Sequence, residues 1–273
     1  MAITTLSLGH LSLIGSDCEA FVRHAAAAGF DAVDLRLAPA TASDRSYTSA
    51  ERVLLCRQLL PILRATGLQV WDIEIIRIDA QTRAQDYLPL MEAAAALQAK
   101  RLKVVADTPH EGHVASVLAD LCALATRFGL TVDLEYMVFS AVKSLAAALR
   151  IVRLADQPNL QVLVDALHWM RAGDTVAHIL AADPAVLGYV QLCDGPLQGP
   201  QERSLLIQEA RTRRLAPGEG EFPLAALLQA LPQASVASVE VPMPAGQTPQ
   251  AHADRLLRAT RAVLQRTAGN GAP

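Results

Sequence analysis

Aromatic side chains are scarce in this sequence, 4% of 273 residues, against 52% hydrophobic residues overall. Any core must therefore be aliphatic, and the apolar content is too high for a disordered chain. Blocks of Lys and Arg are absent as well. With 24 basic and 27 acidic residues the formal net charge is −3, and no basic stripe offers itself to a phosphate backbone, so nucleic acid is not an expected partner. The four cysteines, Cys18, Cys56, Cys122 and Cys193, form no CxxC pair, which predicts reduced core thiols rather than a thiolate metal site. Residues 1–15 lack a basic segment followed by a long apolar one, so no secretion signal is expected. No apolar run reaches the roughly 18 residues of a membrane span. A cytoplasmic protein with no membrane partner is the expectation.

What is present is a repeated alternation of short apolar runs with longer helical patterns. The runs end near His10, Arg36, Glu74, Asp107, Glu135, Asp165, Gln191 and Glu240. Between them lie predicted helices at Cys18 to Ala28, Ala50 to Thr66, Asp86 to Ala99, Gly112 to Phe128, Val142 to Ala155, Asp174 to Ala181 and Pro223 to Ala230. A further amphipathic helix, Pro249 to Gln265, closes the chain. Gly29, Gly67 and Gly129 follow helical patterns at the position where a left-handed backbone is wanted. Alternation of this kind requires parallel strands with right-handed crossovers. Eight units in this length predict an α/β fold, a single (β/α)8 TIM barrel over residues 1–266 with a flexible tail at 267–273. No GxGxxG follows the first run, which removes the usual dinucleotide fingerprint.

Four of the apolar runs stop on a polar group: "TVDLE" on Glu135, "VLVDALH" on Asp165, "GYVQLCD" on Gln191 and Asp194, and "ASVEVP" on Glu240. In a barrel the C-terminal strand ends carry the active site, so Glu135, Asp165, Gln191 and Glu240 are expected to converge. Three carboxylates and one amide oxygen form a hard donor set. Carboxylates crowded together would repel, and a dication removes that cost. One divalent metal ion is therefore the expected cofactor, with Mn²⁺, Mg²⁺ or Co²⁺ favoured and Zn²⁺ compatible. Asp165 and His168 form D-x-x-H. A helical turn after Asp165 would return His168 to the same mouth as a ligand, a substrate donor or a proton carrier.

"LEYM", "LVDALH", "VQLCD", "APGEGEFPL" and "SVEVP", with the opening "LSLGHL" and "AAAAGFDAVDLRL", resemble the xylose isomerase-like TIM barrel superfamily. That superfamily holds sugar isomerases, epimerases and endonuclease IV. The resemblance covers nearly the whole chain and implies a single catalytic metal on Glu135, Asp165, Gln191 and Glu240. Most sugar epimerases of this kind carry His where this chain has Gln191, and the Gln looks more like the 3-dehydroshikimate dehydratase branch. The extra His ligands of endonuclease IV are not matched, which disfavours DNA repair.

The resemblance implies an isomerase or epimerase acting on a keto-polyol or sugar, phosphorylated or not, through α-proton abstraction. Glu135 and Glu240 are the expected acid–base groups and His168 a third catalytic candidate; loss of a β-hydroxyl would instead make the enzyme a dehydratase. A barrel that only binds its ligand would have no need of the metal constellation. Substrate contacts are expected from His10, Arg36, Glu74, Arg77 and Arg213. The last lies in "QERSLLIQEARTRR", which reads either as a lid whose arginine clamps an anion or as a solvated helix. A homo-oligomer is compatible with all of this.

Overall fold

A computed structural model describes residues 3–41, 44–231 and 235–269. Eight parallel strands close into one barrel in sequence order: β1 Thr5–Gly9, β2 Ala32–Arg36, β3 Gln69–Ile78, β4 Arg101–Ala106, β5 Thr131–Glu135, β6 Leu160–Asp165, β7 Leu187–Leu192 and β8 Val236–Val239. The helices are α1 Cys18–Ala28, α2 Ser49–Thr66, α3 Leu88–Ala96, α4 Glu111–Thr126, α5 Leu145–Ala155, α6 Ala166–Arg171, α7 Val176–Leu180, α8 Arg203–Thr212, α9 Leu224–Ala230 and α10 Pro249–Gly269. The barrel expected from the alternation is what forms. No helix among the described residues is long and apolar enough to cross a membrane.

Local chemistry sets the boundaries. Asp17 caps α1 by accepting from the Ala20 N–H, and Thr48 with Glu51 forms a reciprocal capping box on α2. Gly29 and Gly67 close these helices with φ of 94° and 73°, a backbone that side chains with a Cβ resist. The helix expected over Asp86 to Ala99 is shorter: a 3-10 turn at Ala84–Tyr87 precedes α3, because Pro89 suits only the first turn of a helix. At the other end α10 runs through Thr267 to Gly269; residues 270–273 of the expected tail lie outside the described residues.

The strands alternate in a way that organises everything above them. Leu6, Leu8, Val33, Leu35, Ile73, Leu102, Val104, Val132, Leu134, Val162, Val164 and Val190 belong to one continuous apolar cluster shared with the helices. The residues between them, Leu163 apart, are polar and point to the barrel axis. Ser7 donates to Asp34 Oδ1 at 2.7 Å, Ser238 donates to Asp34 Oδ2, and Tyr189 donates across the lumen to Asp72. Arg101 holds both oxygens of Asp133, at 2.7 and 2.9 Å, and Gln161 at 2.8 Å. TIM-barrel interiors are usually filled by branched apolar side chains. Here the lumen is a hydrogen-bonded polar column, with small apolar clusters at its two ends: Leu163, Tyr189 and Val236 below, Ile75, Val105 and Met137 above.

A column so closely filled leaves no room for added volume. A Cβ on Gly188 would stand 2.4 Å from Asp133 Oδ1 and 3.3 Å from both Arg101 Nη1 and the Val162 carbonyl. Gly188→Ala must therefore push Asp133 off Arg101, and we expect a loss of about 1–3 kcal/mol of stability. Chemical denaturation measures it; an unchanged midpoint would mean that the pair moves freely.

Candidate active site

Parallel register places the acids side by side at the C-terminal mouth. Asp165 is paired with Gln191, Gln191 with Ser238, and Glu135 with Leu163. Glu135 and Glu240 border a cavity of about 290 Å³ together with Arg36, Arg77, Lys103, His168, Arg211 and Arg214. Asp165 and Gln191 lie beneath it, with no solvent exposure.

Asp165 does two things. Its Oδ1 accepts from the backbone N–H groups of Leu167 at 2.8 Å and His168 at 3.2 Å, which starts α6 immediately after β6. That turn brings His168 back to the mouth, where its ring packs edge-on against Phe139 with centroids 5.2 Å apart. Burial, abetted by Arg214 and Lys103 and opposed by Asp165, lowers the His168 pKa to about 4. The imidazole is thus neutral at physiological pH, and its Nδ1 is buried with no hydrogen-bond partner.

The carboxylates do not face one another bare, as expected of a site that only a metal could neutralise. Arg214 Nη1 lies 2.6 Å from Asp165 Oδ2, and its Nη2 lies 3.2 Å from Glu240 Oε2. Lys103 Nζ lies 3.1 Å from Glu74 Oε1 and 3.5 Å from Glu240 Oε1. Arg36 completes the set, 2.9 Å from Glu74 Oε2. Burial alone would raise the Glu74 pKa, but Lys103, Arg36 and His10 hold it at about 2. Burial likewise acts against ionisation of Asp165, and Arg214 and His168 overcome it, so its pKa is lowered. Lys103 and Arg214 are correspondingly held in their charged forms by the surrounding acids, against burial. Glu135 is the exception: no salt bridge or hydrogen bond reaches its carboxylate among the described residues. Burial, with Asp165 and Glu240 nearby, pushes its pKa up to about 8, despite Lys103 and Arg214.

Two buried cations thus take much of the neutralisation that a dication was expected to supply. The donor set nevertheless fits a divalent ion. Glu135, Asp165 and His168 each offer one ligand atom within 4.8 Å of the others. Gln191 adds Oε1, which is buried and unpartnered, while its Nε2 donates to Glu240 Oε1 at 3.4 Å. Glu240 stands outside the convergent three, with Lys103 on one oxygen and Arg214 on the other.

The other expected contacts divide. Arg36 lines the cavity, pinned to Glu74 and close to Asp44. Arg77 also lines it, with Nη2 2.6 Å from Asp107. Glu74 lies beneath, fully buried. His10 does not border this cavity; it stacks on Phe21 at 4.3 Å, and its Nδ1 accepts from the Arg36 N–H at 3.0 Å. Arg213 is exposed and outside the lining. Its neighbour Arg214, in the same run, is the arginine that enters.

Asp194 accounts for that choice. Its Oδ1 accepts from the N–H groups of Gly195 at 2.8 Å and Phe222 at 2.9 Å, and its Oδ2 from Gly218 at 2.8 Å. Its backbone exchanges two 2.8 Å hydrogen bonds with Leu215. The chain after α8 is thereby fastened to the end of β7, one residue beyond Arg214. Helix α8 is held over the mouth as well, by Arg171 bonded to Glu209 at 2.6 and 2.8 Å and by Arg203 Nε donating to the Phe139 carbonyl at 3.2 Å. It is more than a solvated helix: Ala210 and Arg211 line the cavity.

The family model of xylose isomerase-like TIM barrels matches residues 22–266. No curated protein sequence matches the chain. Among solved structures, the IolI protein with a bound zinc atom is 17% identical with a TM-score of 0.81, covering 97% of this chain and 99% of that one. The probable 3-DHS dehydratase AsbF of Bacillus anthracis is 15% identical with a TM-score of 0.72, covering 94% and 99%. D-psicose 3-epimerase of Clostridium cellulolyticum H10 is 13% identical with a TM-score of 0.69, covering 97% and 98%. At these identities the likeness is one of fold.

The raised pKa of Glu135 carries a sign. The folded state holds a proton there that the unfolded chain gives up at the ordinary 4.5, so stability falls as pH rises from 4.5 towards about 8. In metal-free protein, Glu135→Gln should remove that part of the fall in melting temperature across this range. Parallel pH profiles of variant and wild type would show an empty result if Glu135 were ionised throughout.

Proposed function

Because the chain belongs to the xylose isomerase-like TIM barrel family, we propose that it is a divalent-metal-dependent isomerase or epimerase of a polyhydroxy carbonyl compound. The observation that carries the reading is the pair Glu135 and Glu240, two carboxylates opening on one cavity beside a neutral His168. Glu135, Asp165 and Gln191 would hold the cation, with His168 and Glu240 available for the remaining positions. When bound, a divalent ion would supply Lewis acidity at the substrate's carbonyl oxygen.

The remaining roles fall to the chain itself. A carboxylate lining the cavity removes the proton beside the carbonyl, and the negative charge that builds on oxygen faces Lys103 and Arg214. Return of the proton to the opposite face gives an epimer; return to the adjacent carbon gives the isomer. One cation of the cavity wall favours a substrate that is itself anionic. Of the five that line it, Arg36, Arg77, Lys103 and Arg214 already meet Glu74, Asp107, Asp165 and Glu240. Arg211 has no ion pair among the described residues, which leaves it available to a carboxylate or phosphate on the substrate.

A dehydratase is the second reading, supported by Gln191 at the place where most sugar epimerases of this kind carry His. There His168 would face a departing β-hydroxyl as a neutral imidazole beside the cavity.

Solvent exchange separates the reactions. Incubated in D₂O with divalent metal and a panel of keto-polyols, their phosphates and their carboxylated relatives, the wild type should place deuterium in recovered substrate. Glu240→Gln should slow this by about 100-fold or more. Exchange undiminished in the variant would remove Glu240 from proton transfer. A rise in aromatic absorbance as 3-dehydroshikimate loses water to a dihydroxybenzoate would favour the dehydratase instead.

A further inference from the structure

The groups at the mouth fall into two sets. Glu135, His168 Nδ1 and Gln191 Oε1 have no bonded partner among the described residues, and are ready to receive a cation. Asp165 and Glu240 are already held by cations of the chain. Of the two Asp165 oxygens, Oδ1 is committed to the N–H groups of Leu167 and His168, so Oδ2 is the one left for a ligand bond. Arg214 holds that oxygen at 2.6 Å. The same guanidinium reaches Glu240 Oε2 at 3.2 Å, while Lys103 holds the other oxygen at 3.5 Å.

We propose that Arg214 is a built-in competitor for the metal: it bridges Asp165 and Glu240 in the metal-free protein and leaves them when a divalent ion binds. The proposal rests on the metal-dependent reading above. Two positive charges set side by side in a buried, low-dielectric site repel steeply, so the guanidinium and the ion do not share these oxygens at full strength. Arg214 is built to give way. Its backbone is fixed by the Asp194–Leu215 pairing, but beyond Cβ, apart from the two acids, its contacts among the described residues are Nε donating to the Ala210 carbonyl at 2.7 Å and a 3.7 Å contact of Nη1 with Cys193. The side chain also borders the cavity of about 290 Å³ into which its guanidinium can turn. Lys103 has no such freedom; it rises from the barrel wall and stays paired with Glu74 at 3.1 Å. The consequence is a site that keeps its acids neutralised without metal and surrenders part of its metal affinity for doing so.

Zinc titrated into metal-free protein tests this by calorimetry. Arg214→Met should bind zinc about tenfold tighter than wild type, or more. Arg214→Lys keeps the charge but loses the planar fork that meets Asp165 and Glu240 through separate nitrogens, so it should also bind zinc more tightly. In wild type, the Nε–H resonance of Arg214, assigned by its loss in Arg214→Lys, should shift saturably as zinc is added. This reading stands even if Arg214→Met does not fold. Equal or weaker zinc binding by the folded variants, or an unmoved resonance while wild type binds zinc, overturns the proposal and leaves the metal reading intact. If neither wild type nor variants bind zinc, the metal reading fails and the proposal falls with it.

Discussion

Neutralisation of buried carboxylates by Lys103 and Arg214 is the constraint on which the site depends. Asp165 and Glu74 have no solvent exposure, and Glu135 and Glu240 have 4% each. Acids so placed cost several kcal/mol apiece unless something compensates them. Lys103 spans β3 and β8 from its place on β4, and Arg214 spans β6 and β8 from outside the barrel. Removing either cation would leave a buried charge unpaired, a far larger loss than a surface ion pair represents.

The same logic extends down the barrel. Asp133 is met by Arg101, Asp72 by Tyr189 and Asp34 by two serines. Burial, together with the neighbouring acids, raises Asp72 to about 7 and Asp34 well above the usual carboxylate range. The apolar driving force for folding lies mainly in the outer ring, where the strands meet the helices. The lumen contributes specificity of arrangement through its paired polar groups. This division lets the mouth carry an unusual density of charge without the barrel losing its core.

Much of this was readable in the sequence, for identifiable reasons. An acid that ends an apolar run is conspicuous, so Glu135, Asp165 and Glu240 stood out, and the alternation of elements indicated the barrel. The polar lumen was written just as plainly, as charged residues two apart in Asp34 and Arg36, Asp72 and Glu74, Arg101 and Lys103, Asp133 and Glu135. Period two in strands closed on all sides means that one face is lined by those residues. Arg214 had no local signal. It stands beside Arg213 and two residues after Thr212, and which arginine enters is decided by the pairing of Leu215 with Asp194, a contact between segments far apart in the sequence.

That pairing has another implication. Asp194, just past β7, and Leu215, just past α8, are joined by paired backbone bonds. Everything between them, α8 included, is an excursion tied off at its root. Such a segment can be lengthened, shortened or exchanged around α8 while its anchor points, and Arg214 beside them, keep their places. The acids belong to the scaffold, and the roof over them is a replaceable cassette. Within one framework, the choice of what enters the mouth can thus diverge while the chemistry beneath stays fixed.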